Sequence, residues 1–319
     1  MADLATPMAI RVAATLSLAE RAGSAGATAE HLAAETGTAA PALESLLDHL
    51  VTVGVFDREA DRYRPTDLGA QLREDAPAGI KPLLDINCAG GRAELAFTEL
   101  LGTLTTGVPA YVTRYGRDFW TDLDTNPELR RSFDAQMNWR FQVQAPQIAE
   151  RFDWSRFTEI VDVGGGNGIV LAAILAAHPG PRGRVVELAP TAAAAADTFA
   201  AAGLGDRAVA VAGSFFDPLP AGADAYVLSD ILHDWDDDHA RTILNRCREA
   251  VTPNGAVVVI EPLRADTAID LFMLMCFGGR ERSVDELTAL ATGCGLTLRN
   301  TSPVAEGRTA LEFTRKDHP

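Results

Sequence analysis

From residue 155 onward the sequence alternates short β-branched runs with helix-length segments, and this rhythm restricts the fold more than any other feature of the chain. The runs cover residues 159–163, 184–188, 208–212, 225–229 and 256–261. Strands that alternate with helices build successive βαβ units, which assemble into a parallel sheet. Two more runs, 296–299 and 309–313, predict a closing hairpin-like pair. We therefore expect an α/β, Rossmann-like domain over residues 155–319.

A glycine-rich loop follows the first predicted strand, at the edge of the sheet where open α/β folds bind their ligands. It covers residues 164–168 with the sequence Gly-Gly-Gly-Asn-Gly and leads into an apolar helix. Glycines there let a ligand lie against bare backbone near a helix N-terminus. Glu187 ends the second strand, where its carboxylate would accept hydrogen bonds from ribose hydroxyls. The loop and this acid together predict a nucleotide-like cofactor.

Two cofactors suit such a loop, NAD and S-adenosylmethionine. The dinucleotide fingerprint is G-x-G-x-x-G, whereas Ile169 occupies its last position here. A compact loop suits a cofactor without pyrophosphate, and an acidic chain tolerates a sulfonium cation better than two phosphates. These points favour S-adenosyl-L-methionine, with S-adenosyl-L-homocysteine as the product. The candidate cofactor-binding residues are Asp162, Gly164, Gly165, Gly166, Gly168, Glu187, Ser214, Phe215 and Ser229.

The later strand ends carry side chains suited to adenine binding and to acid–base chemistry. Phe215 could stack on the adenine, and Ser214 could hydrogen-bond its amino group. His233 follows the fourth strand, and histidine is the side chain best suited to accept a proton near neutral pH. Glu261 or Glu281 could accept the other imidazole N–H, although Glu281 could equally be a helix-start charge favoured by the dipole. Because His233 lies at a strand end beside the predicted cofactor, we predict that it is the base for methyl transfer to oxygen.

Residues 1–75 show the pattern of a winged helix-turn-helix. Helical segments are predicted over 7–19, directly after an N-cap at Thr28, and over 41–53, and a small hairpin follows them. Such modules often bind DNA. This segment, however, holds six arginines, no lysine and twelve acidic residues, a net charge of −6. The predicted recognition helix, 41–53, has no arginine or lysine for phosphate contacts or guanine readout. We therefore expect an all-helical winged-helix dimerisation domain.

Residues 76–154 stay helical in character and concentrate aromatic side chains just before the α/β domain. At helical spacing such aromatics are more often core residues than ligand contacts, yet their place also suits a substrate pocket. We expect linking helices that form one wall of that pocket. The aromatic residues are Tyr111, Tyr115, Phe119, Trp120, Phe133, Trp139 and Phe141.

The composition excludes several classes of function. A formal charge of −16 and a pI near 4.8 argue against general affinity for nucleic acid or anionic membranes, which attract basic surfaces. The four cysteines form no C-x-x-C pair, and we interpret them as buried thiols. No apolar run reaches the length of a membrane span, and no signal-peptide pattern opens the chain. We expect a cytoplasmic enzyme that needs no metal and acts on a small molecule.

Several motifs together resemble the small-molecule O-methyltransferases, which include plant caffeic acid and isoflavone enzymes, acetylserotonin O-methyltransferase and bacterial enzymes of aromatic polyketide biosynthesis. The resemblance spans nearly the whole chain. It implies a class I methyltransferase domain, a homodimer, and methyl transfer from S-adenosylmethionine to a phenolic hydroxyl of a small natural product. The motifs are residues 162–168, 213–220, 232–235 (Leu-His-Asp-Trp), 253–255 (Pro-Asn-Gly) and 278–282 (Gly-Gly-Arg-Glu-Arg).

The resemblance also implies roles for single residues. The catalytic base falls on His233, its two supporting acids on Glu261 and Glu281, and the ribose carboxylate on Glu187. The family lines its substrate pocket from the helices before the cofactor domain and from the segment after the fifth strand. Those positions are Trp120, Met137, Asn138, Phe141, Asp270, Met273 and Phe277.

The chain departs from the family pattern in two places. Ser214 stands where the family usually has an aspartate, so the adenine contact falls to Asp217 or to backbone, or is weaker. The stretch between Glu261 and Asp270 is short for the family. Some bacterial relatives keep the cofactor site but perform hydroxylation or decarboxylation, and the retention of His233 with both glutamates argues against that here. Less favoured by the sequence are an NAD-dependent oxidoreductase and a winged-helix DNA-binding regulator.

Overall fold

The computed structural model describes residues 3–77, 79–264 and 267–316. This part of the chain forms two compact units. The first comprises the residues up to Thr98 together with Phe119–Gln136, and the second comprises Glu99–Asp118 together with the residues from Met137 onward. Among the described residues, no helix is both long enough and apolar enough to cross a membrane.

Helices account for most of the ordered backbone outside the sheets. They are α1 (Ala5–Thr15), α2 (Leu18–Ala22), α3 (Ala29–Thr36), α4 (Ala40–Thr52), α5 (Asp67–Ala70), α6 (Lys81–Leu84), α7 (Ala89–Glu94), α8 (Leu100–Thr106), α9 (Ala110–Tyr115), α10 (Phe119–Thr125), α11 (Pro127–Arg151), α12 (Ile169–Ala177), α13 (Ala189–Ala201), α14 (Asp237–Ala250), α15 (Thr267–Cys276) and α16 (Val284–Gly293). Short 3₁₀ segments cover Leu95–Glu99 and Leu232–Asp234.

The N-terminal part of the first unit contains the predicted helices and hairpin. Strands β1 (Ala27–Thr28), β2 (Phe56–Glu59) and β3 (Arg62–Pro65) form an antiparallel sheet in the order β1-β3-β2. Leucines on one face of α4 are buried, as the spacing of its apolar residues requires. The side chain of Thr28 accepts a hydrogen bond from the backbone N–H of His31 and so caps α3. Because of the small sheet, this module is not helical throughout.

One helix of this module differs from the expectation. The segment predicted as a single helix over residues 7–19 is divided into α1 and α2. Ser17 lies between them with a left-handed backbone conformation, φ 52°. A serine at this position gives no glycine or proline signal, so the break was not predictable from local residue preferences.

The second unit is built on a seven-stranded sheet in the order β6-β5-β4-β7-β8-β10-β9. The strands from β4 to β8 pair in parallel, whereas β10 is antiparallel to both β8 and β9. Alternate residues of β8 join hydrophobic clusters on opposite faces of the sheet, as expected for a sheet covered on both sides. The strands are β4 (Glu159–Val163), β5 (Arg182–Glu187), β6 (Ala208–Ala212), β7 (Ala225–Ser229), β8 (Ala256–Glu261), β9 (Leu296–Ala305) and β10 (Arg308–Arg315).

The predicted strands of this sheet are confirmed, with two changes of extent. The bounds of β4, β6, β7 and β8 are those expected. Strand β5 starts two residues early because Arg182 pairs with Glu159 at the start of β4. The closing pair, β9 and β10, is longer than predicted and includes register shifts that alternation of residue types does not reveal. Ala265 and Asp266, in the stretch considered short for the family, lie outside the described residues.

Candidate active site

The strand order creates a topological switch point between β4 and β7. The chain proceeds from β4 outward to β5 and β6 and then returns to β7 on the other side of β4. Ligands of open α/β sheets bind in the crevice beyond the carboxyl ends of such strands. A Cβ atom added to Gly164, after β4, would lie 2.7 Å from Cδ1 of Ile231, after β7. The predicted cofactor loop and the segment bearing the predicted base therefore meet at this crevice.

The glycine loop is packed closely against its neighbours at Gly165 and Gly168 as well as at Gly164. A Cβ on Gly165 would lie 2.3 Å from Oδ2 of Asp162, and one on Gly168 would lie 2.7 Å from the ring of Phe199. Gly166 donates its backbone N–H to Oε2 of Glu187 at 3.2 Å. The structure thus brings the loop and the predicted ribose carboxylate into direct contact. Their roles toward a cofactor stay predictions.

Asp162 is buried beneath this loop at the end of β4. Burial, together with the negative charge of Glu187, raises the pKa of Asp162 to about 7. A carboxyl group perturbed by burial and a charged neighbour within a crevice is characteristic of functional sites. This agrees with its predicted place in the cofactor site.

An aromatic cluster borders the loop on the other side. The rings of Phe215 and Phe216 have centroids 4.9 Å apart, and Phe216 meets Trp235 edge-on at 4.9 Å and 90°. A Cβ on Gly164 would lie 3.2 Å from the ring of Phe215, so the predicted adenine-stacking residue lies beside the loop. Trp235 was not among the predicted site residues. Its place in the 232–235 motif was the sequence signal that could have identified Trp235 as a site residue.

Two serines at the strand ends differ in what their hydroxyls contact. The Oγ of Ser214 accepts a hydrogen bond from the backbone N–H of Phe216 at 3.2 Å. The Oγ of Ser229, at the end of β7, is buried and has no hydrogen-bond partner among the described residues. Buried polar atoms are usually paired, so the Ser229 hydroxyl suits a polar group of a ligand.

His233 lies in the 3₁₀ segment directly after β7 and is only 6% exposed. Its Nδ1 is 2.6 Å from Oε2 of Glu261, and its Nε2 is 3.4 Å from Oδ1 of Asp234. Burial alone would lower the pKa of His233, but the charges of these two acids and Asp230 outweigh it and raise the pKa to about 10. The acids around the ring therefore favour its protonated, imidazolium form.

Glu261 ends β8 and uses its two carboxylate oxygens differently. Oε1 accepts hydrogen bonds from the backbone N–H groups of Ile231 at 3.0 Å and Leu232 at 2.7 Å, while Oε2 faces His233. One carboxylate therefore contacts both the backbone that carries the base and the ring itself. This arrangement suits the supporting role predicted for Glu261.

A second acid beside the ring, Asp234, is one that sequence reasoning did not assign. Asp234 lies within 4 Å of His233, and burial raises the pKa of Asp234 to about 7 although His233 opposes the shift. Glu281 is buried, and its backbone N–H donates to Oδ1 of Asp270 at 2.9 Å. The role predicted for the Glu281 carboxylate stays a prediction.

Asp230, also unassigned from the sequence, connects the crevice to two arginines. Its φ is 54°, and its carboxylate lies 2.7 Å from Nε of Arg308 and 3.1 Å from Nη2 of Arg140. Asp230, His233 and Glu261 present ligand atoms that all lie within 4.8 Å of one another, a grouping that could also hold a metal ion. The arginines compete for the Asp230 oxygens. A metal-independent reaction stays a prediction.

The residues predicted to line the substrate pocket are divided between the two units. Trp120 lies on α10 in the first unit, where its ring packs edge-on against Phe119 and Phe133. Met137 and Asn138 lie on the part of α11 that belongs to the second unit, and both are half-buried. Phe141, also predicted for the pocket, lies on α11 and packs partly buried against the core of the second unit.

The other three predicted pocket residues lie on or just after α15. Asp270 accepts the hydrogen bond from the backbone of Glu281. Met273 is half-buried, and Phe277 packs against Phe272 with centroids 5.9 Å apart. Helix α15 packs on α9, within the same unit. The three residues therefore lie on one short segment of the chain, and their contact with a substrate stays a prediction.

Two family models match the chain. Residues 97–297 match the O-methyltransferase domain, and residues 1–75 match the O-methyltransferase dimerisation domain. The chain belongs to the O-methyltransferase family. The predicted family, the class I methyltransferase fold and the N-terminal dimerisation domain are thereby confirmed.

Curated relatives and solved structures agree with this assignment. The chain is 48% identical to a 2,7-dihydroxy-5-methyl-1-naphthoate 7-O-methyltransferase of Streptomyces carzinostaticus, over 96% of this chain and 93% of that one. It is 43% identical to aclacinomycin 10-hydroxylase RdmB of Streptomyces purpurascens, over 98% and 86%. An O-methyltransferase from neocarzinostatin biosynthesis, solved with S-adenosylmethionine and 2-hydroxy-5-methyl naphthoic acid, superposes with a TM-score of 0.95 at 47% identity, covering 98% and 97%.

This family membership decides between the functions that the sequence allowed. The O-methyltransferase is an enzyme whose methyl donor is S-adenosylmethionine, so an NAD-dependent oxidoreductase is rejected. The N-terminal module is a dimerisation domain, so a DNA-binding regulator is rejected as well. Membership of the O-methyltransferase family does not by itself identify the acceptor or the residues of this chain that perform the reaction.

Proposed function

We propose that this O-methyltransferase methylates a phenolic hydroxyl of a small aromatic natural product and that His233 is its general base. The observation that carries the proposal is the position of His233, buried at the switch point of the sheet between Glu261 and Asp234. Methyl transfer to a hydroxyl requires removal of its proton, and a positioned histidine contributes about 10² to 10⁴-fold to such a step.

The crevice has the groups that an S-adenosylmethionine molecule needs. We assign the ribose to Glu187, the adenine to the Phe215 and Trp235 cluster, and a polar contact to the unpaired hydroxyl of Ser229. The 164–168 loop provides bare backbone beside them. When bound, S-adenosylmethionine supplies an electrophilic methyl group on a positively charged sulfur.

Glu261 lies against one ring nitrogen of His233 and so can orient the ring for a role as the base. If the hydrogen of the neutral ring is on Nδ1, which lies 2.6 Å from Oε2 of Glu261, the unprotonated Nε2 can accept the hydroxyl proton. The positive charge of bound S-adenosylmethionine would oppose the surrounding acids, which raise the pKa of His233 to about 10, and would favour the neutral ring. The same acids then stabilise the imidazolium that forms when the proton is taken up.

The relatives indicate what kind of acceptor to test. The Streptomyces carzinostaticus enzyme is named for a dihydroxynaphthoate, and the O-methyltransferase from neocarzinostatin biosynthesis was solved with hydroxylated naphthoic acids. We infer that this O-methyltransferase accepts a hydroxylated bicyclic aromatic acid of similar size. Met137, Asn138, Asp270, Met273, Phe277 and Trp120 are the proposed pocket residues.

Turnover with matched acceptors tests the proposal. The acceptors are 1,4-dihydroxy-2-naphthoic acid and the same compound with both hydroxyls already methylated, each with S-adenosylmethionine. We expect release of S-adenosyl-L-homocysteine and a product one methyl group heavier only from the first. Failure of every hydroxylated naphthoic acid, together with turnover of an amine or thiol acceptor, would contradict a phenolic acceptor.

The hydroxylase relative defines the competing outcome. At 43% identity, aclacinomycin 10-hydroxylase shows that the family fold also serves hydroxylation. An enzyme of that kind would return a product one oxygen atom heavier and no methylated acceptor. Mass spectrometry of the same reaction mixture therefore distinguishes the two chemistries.

We also propose that the protein acts as a homodimer in the cytoplasm and that its parts are residues 1–75, 76–154 and 155–319. The match of residues 1–75 to the O-methyltransferase dimerisation domain supports the dimer. The three-part division and the cytoplasmic location stay predictions.

A further inference from the structure

Arg282 is a buried arginine whose hydrogen bonds converge on the turn that carries His233. Only 2% of the residue is exposed. Its Nη1 donates to the backbone carbonyl of Leu232 at 2.7 Å, and its Nη2 donates to that of Trp235 at 2.7 Å. The guanidinium therefore contacts one carbonyl before His233 and one after it.

The same guanidinium is itself held in a fixed position. Its Nε and Nη2 both lie within 3.0 Å of Oδ1 of Asp237, the first residue of α14. A planar guanidinium with several donors can satisfy three acceptors at once, which the point charge of a lysine cannot do in the same geometry. Arg282 thus ties the His233 turn to the start of α14.

The opposite side of the turn is held by Glu261. That carboxylate accepts the N–H groups of Ile231 and Leu232, so the backbone around His233 has its amides fixed from one side and its carbonyls from the other. Gly279 closes the third side, because a Cβ there would lie 2.2 Å from the carbonyl oxygen of His233. The ring position therefore depends on Glu261, which contacts the ring, and also on Arg282 and Gly279, which contact only the backbone of its turn.

We propose that Arg282 is a positioning residue for the catalytic base. It holds the 232–235 turn so that Nδ1 of His233 stays against Glu261 while Nε2 is presented to the acceptor. This inference rests on the proposed role of His233. Displacement of a reacting group by about 1 Å can cost about a hundredfold in rate, so a small relaxation of the turn would be measurable.

Arg280 provides a matched control within the same motif. Its guanidinium also pairs with Asp237, at 3.2 Å, and with Glu286 at 2.7 Å, but its bonds go to carboxylates. Its side chain is 35% exposed. Arg280→Met and Arg280→Lys therefore replace the same kind of side chain and lose a contact with the same partner, Asp237. The carbonyls that flank His233 keep their contacts with Arg282.

The experiment compares Arg282→Lys and Arg282→Met with these controls. It measures kcat and acceptor KM for a hydroxynaphthoic acid that the wild type methylates, the Kd for S-adenosyl-L-homocysteine, and the pH dependence of kcat. Values of kcat are expressed per S-adenosyl-L-homocysteine site, so partial unfolding does not lower them. We expect Arg282→Met to lower kcat about 10- to 100-fold and Arg282→Lys somewhat less, with KM and Kd within about threefold of wild type.

The pH profile provides a signature that loss of structure alone would not give. When the turn relaxes, His233 moves away from Glu261, and its pKa in the complex falls. The acid limb of kcat should shift to lower pH in Arg282→Lys, which keeps the positive charge beside the turn, and stay in place in Arg280→Lys.

Three results would overturn the inference. The first is an Arg282→Met enzyme with the same kcat as Arg280→Met. The second is a loss of kcat in the Arg282 variants that is matched by an equal loss of affinity for S-adenosyl-L-homocysteine. The third is a lower kcat in Arg282→Lys with no shift of its pH profile. If His233→Ala itself keeps wild-type kcat, the proposed function fails first. If His233→Ala is inactive and the Arg282 variants are normal, only the role of Arg282 fails.

Discussion

At the scale of single residues, the site depends on Glu261 serving the ring and the backbone at once. Glu261→Gln keeps the shape of the side chain but turns an amide NH₂ group either toward the backbone N–H groups of Ile231 and Leu232 or toward the ring of His233. We expect a loss of about 1–3 kcal/mol in the free energy of unfolding, since a buried donor is left unpaired. Urea unfolding checks this, with the exposed Glu249→Gln as control. Stability equal to that of the control would show that the bonds to Glu261 contribute nothing.

The protonation of His233 predicts how stability changes with pH. The folded pKa of about 10 lies above the ordinary value of 6.5, so the folded protein binds this proton more tightly than the unfolded chain. The resulting stabilisation is fully present below about pH 6.5 and is lost as pH rises toward about 10.

Urea unfolding of the ligand-free protein between pH 6.5 and 10 measures this effect. We expect the stability advantage of the wild type over His233→Gln to shrink steadily across that range. An advantage over His233→Gln that does not change with pH would refute the raised pKa.

Single residues also show where sequence reasoning succeeds. His233 and Glu261 were predictable because each follows a strand whose carboxyl end defines the ligand crevice. Asp230 was not, because its significance comes from Arg140 and Arg308, which the folded chain brings to it from α11 and β10. Arg282 lies in a motif that was recognised, but only the structure shows that its bonds go to the His233 turn.

At the scale of elements, Asp224 aligns the starts of the two strands that form the switch point. Its carboxylate accepts hydrogen bonds from the backbone N–H groups of Thr158 and Glu159, each at 2.8 Å, and from the hydroxyl of Thr158 at 2.9 Å. Asp224 precedes β7, whereas Glu159 begins β4. The start of one strand is therefore fixed to the start of its neighbour.

Asp224→Ala should lower the free energy of unfolding by about 1–3 kcal/mol, because it leaves strand-start amides without their acceptor. The expected kcat per folded molecule is unchanged, since the reaction crevice lies at the other end of both strands. Urea unfolding and turnover measure the two quantities, with the exposed Asp197→Ala on α13 as control. A large loss of kcat at unchanged stability would contradict this assignment.

The elements of the large sheet were predictable because β-branched runs of strand length are separated by helix-length segments. The bounds of β7 and β8 followed from runs that are buried along their whole length. The division between α1 and α2 and the extra length of β9 were not predictable. They depend on pairing and packing partners far along the chain, and local residue preferences carry no information about those partners.

At the scale of the whole molecule, the sequence and its family resemblance predicted two folded parts with different tasks. The strongly negative charge of −16 is compatible with a small-molecule enzyme and excluded general nucleic-acid binding. The division of the proposed pocket residues between the two units was not predictable, because it depends on where α10 and α11 fall in the fold.

The proposed homodimer gives a direct prediction at this scale. Light scattering at micromolar concentration should report twice the 33.9 kDa mass of the chain, because residues 1–75 match a dimerisation domain. Deletion of those residues would expose apolar surface, so the intact chain is the protein to measure. A stable monomer under these conditions would contradict the dimer.

The role of His233 is tested most directly by its removal, with transfer and binding measured on the same preparation. The reaction uses S-adenosylmethionine and a hydroxynaphthoic acid that the wild type methylates, and His31→Ala serves as the histidine control. We expect His233→Ala to lower kcat at least about a hundredfold while the Kd for S-adenosyl-L-homocysteine stays within about threefold of wild type. Near-normal methylation of the hydroxyl by His233→Ala would contradict its assignment as the base.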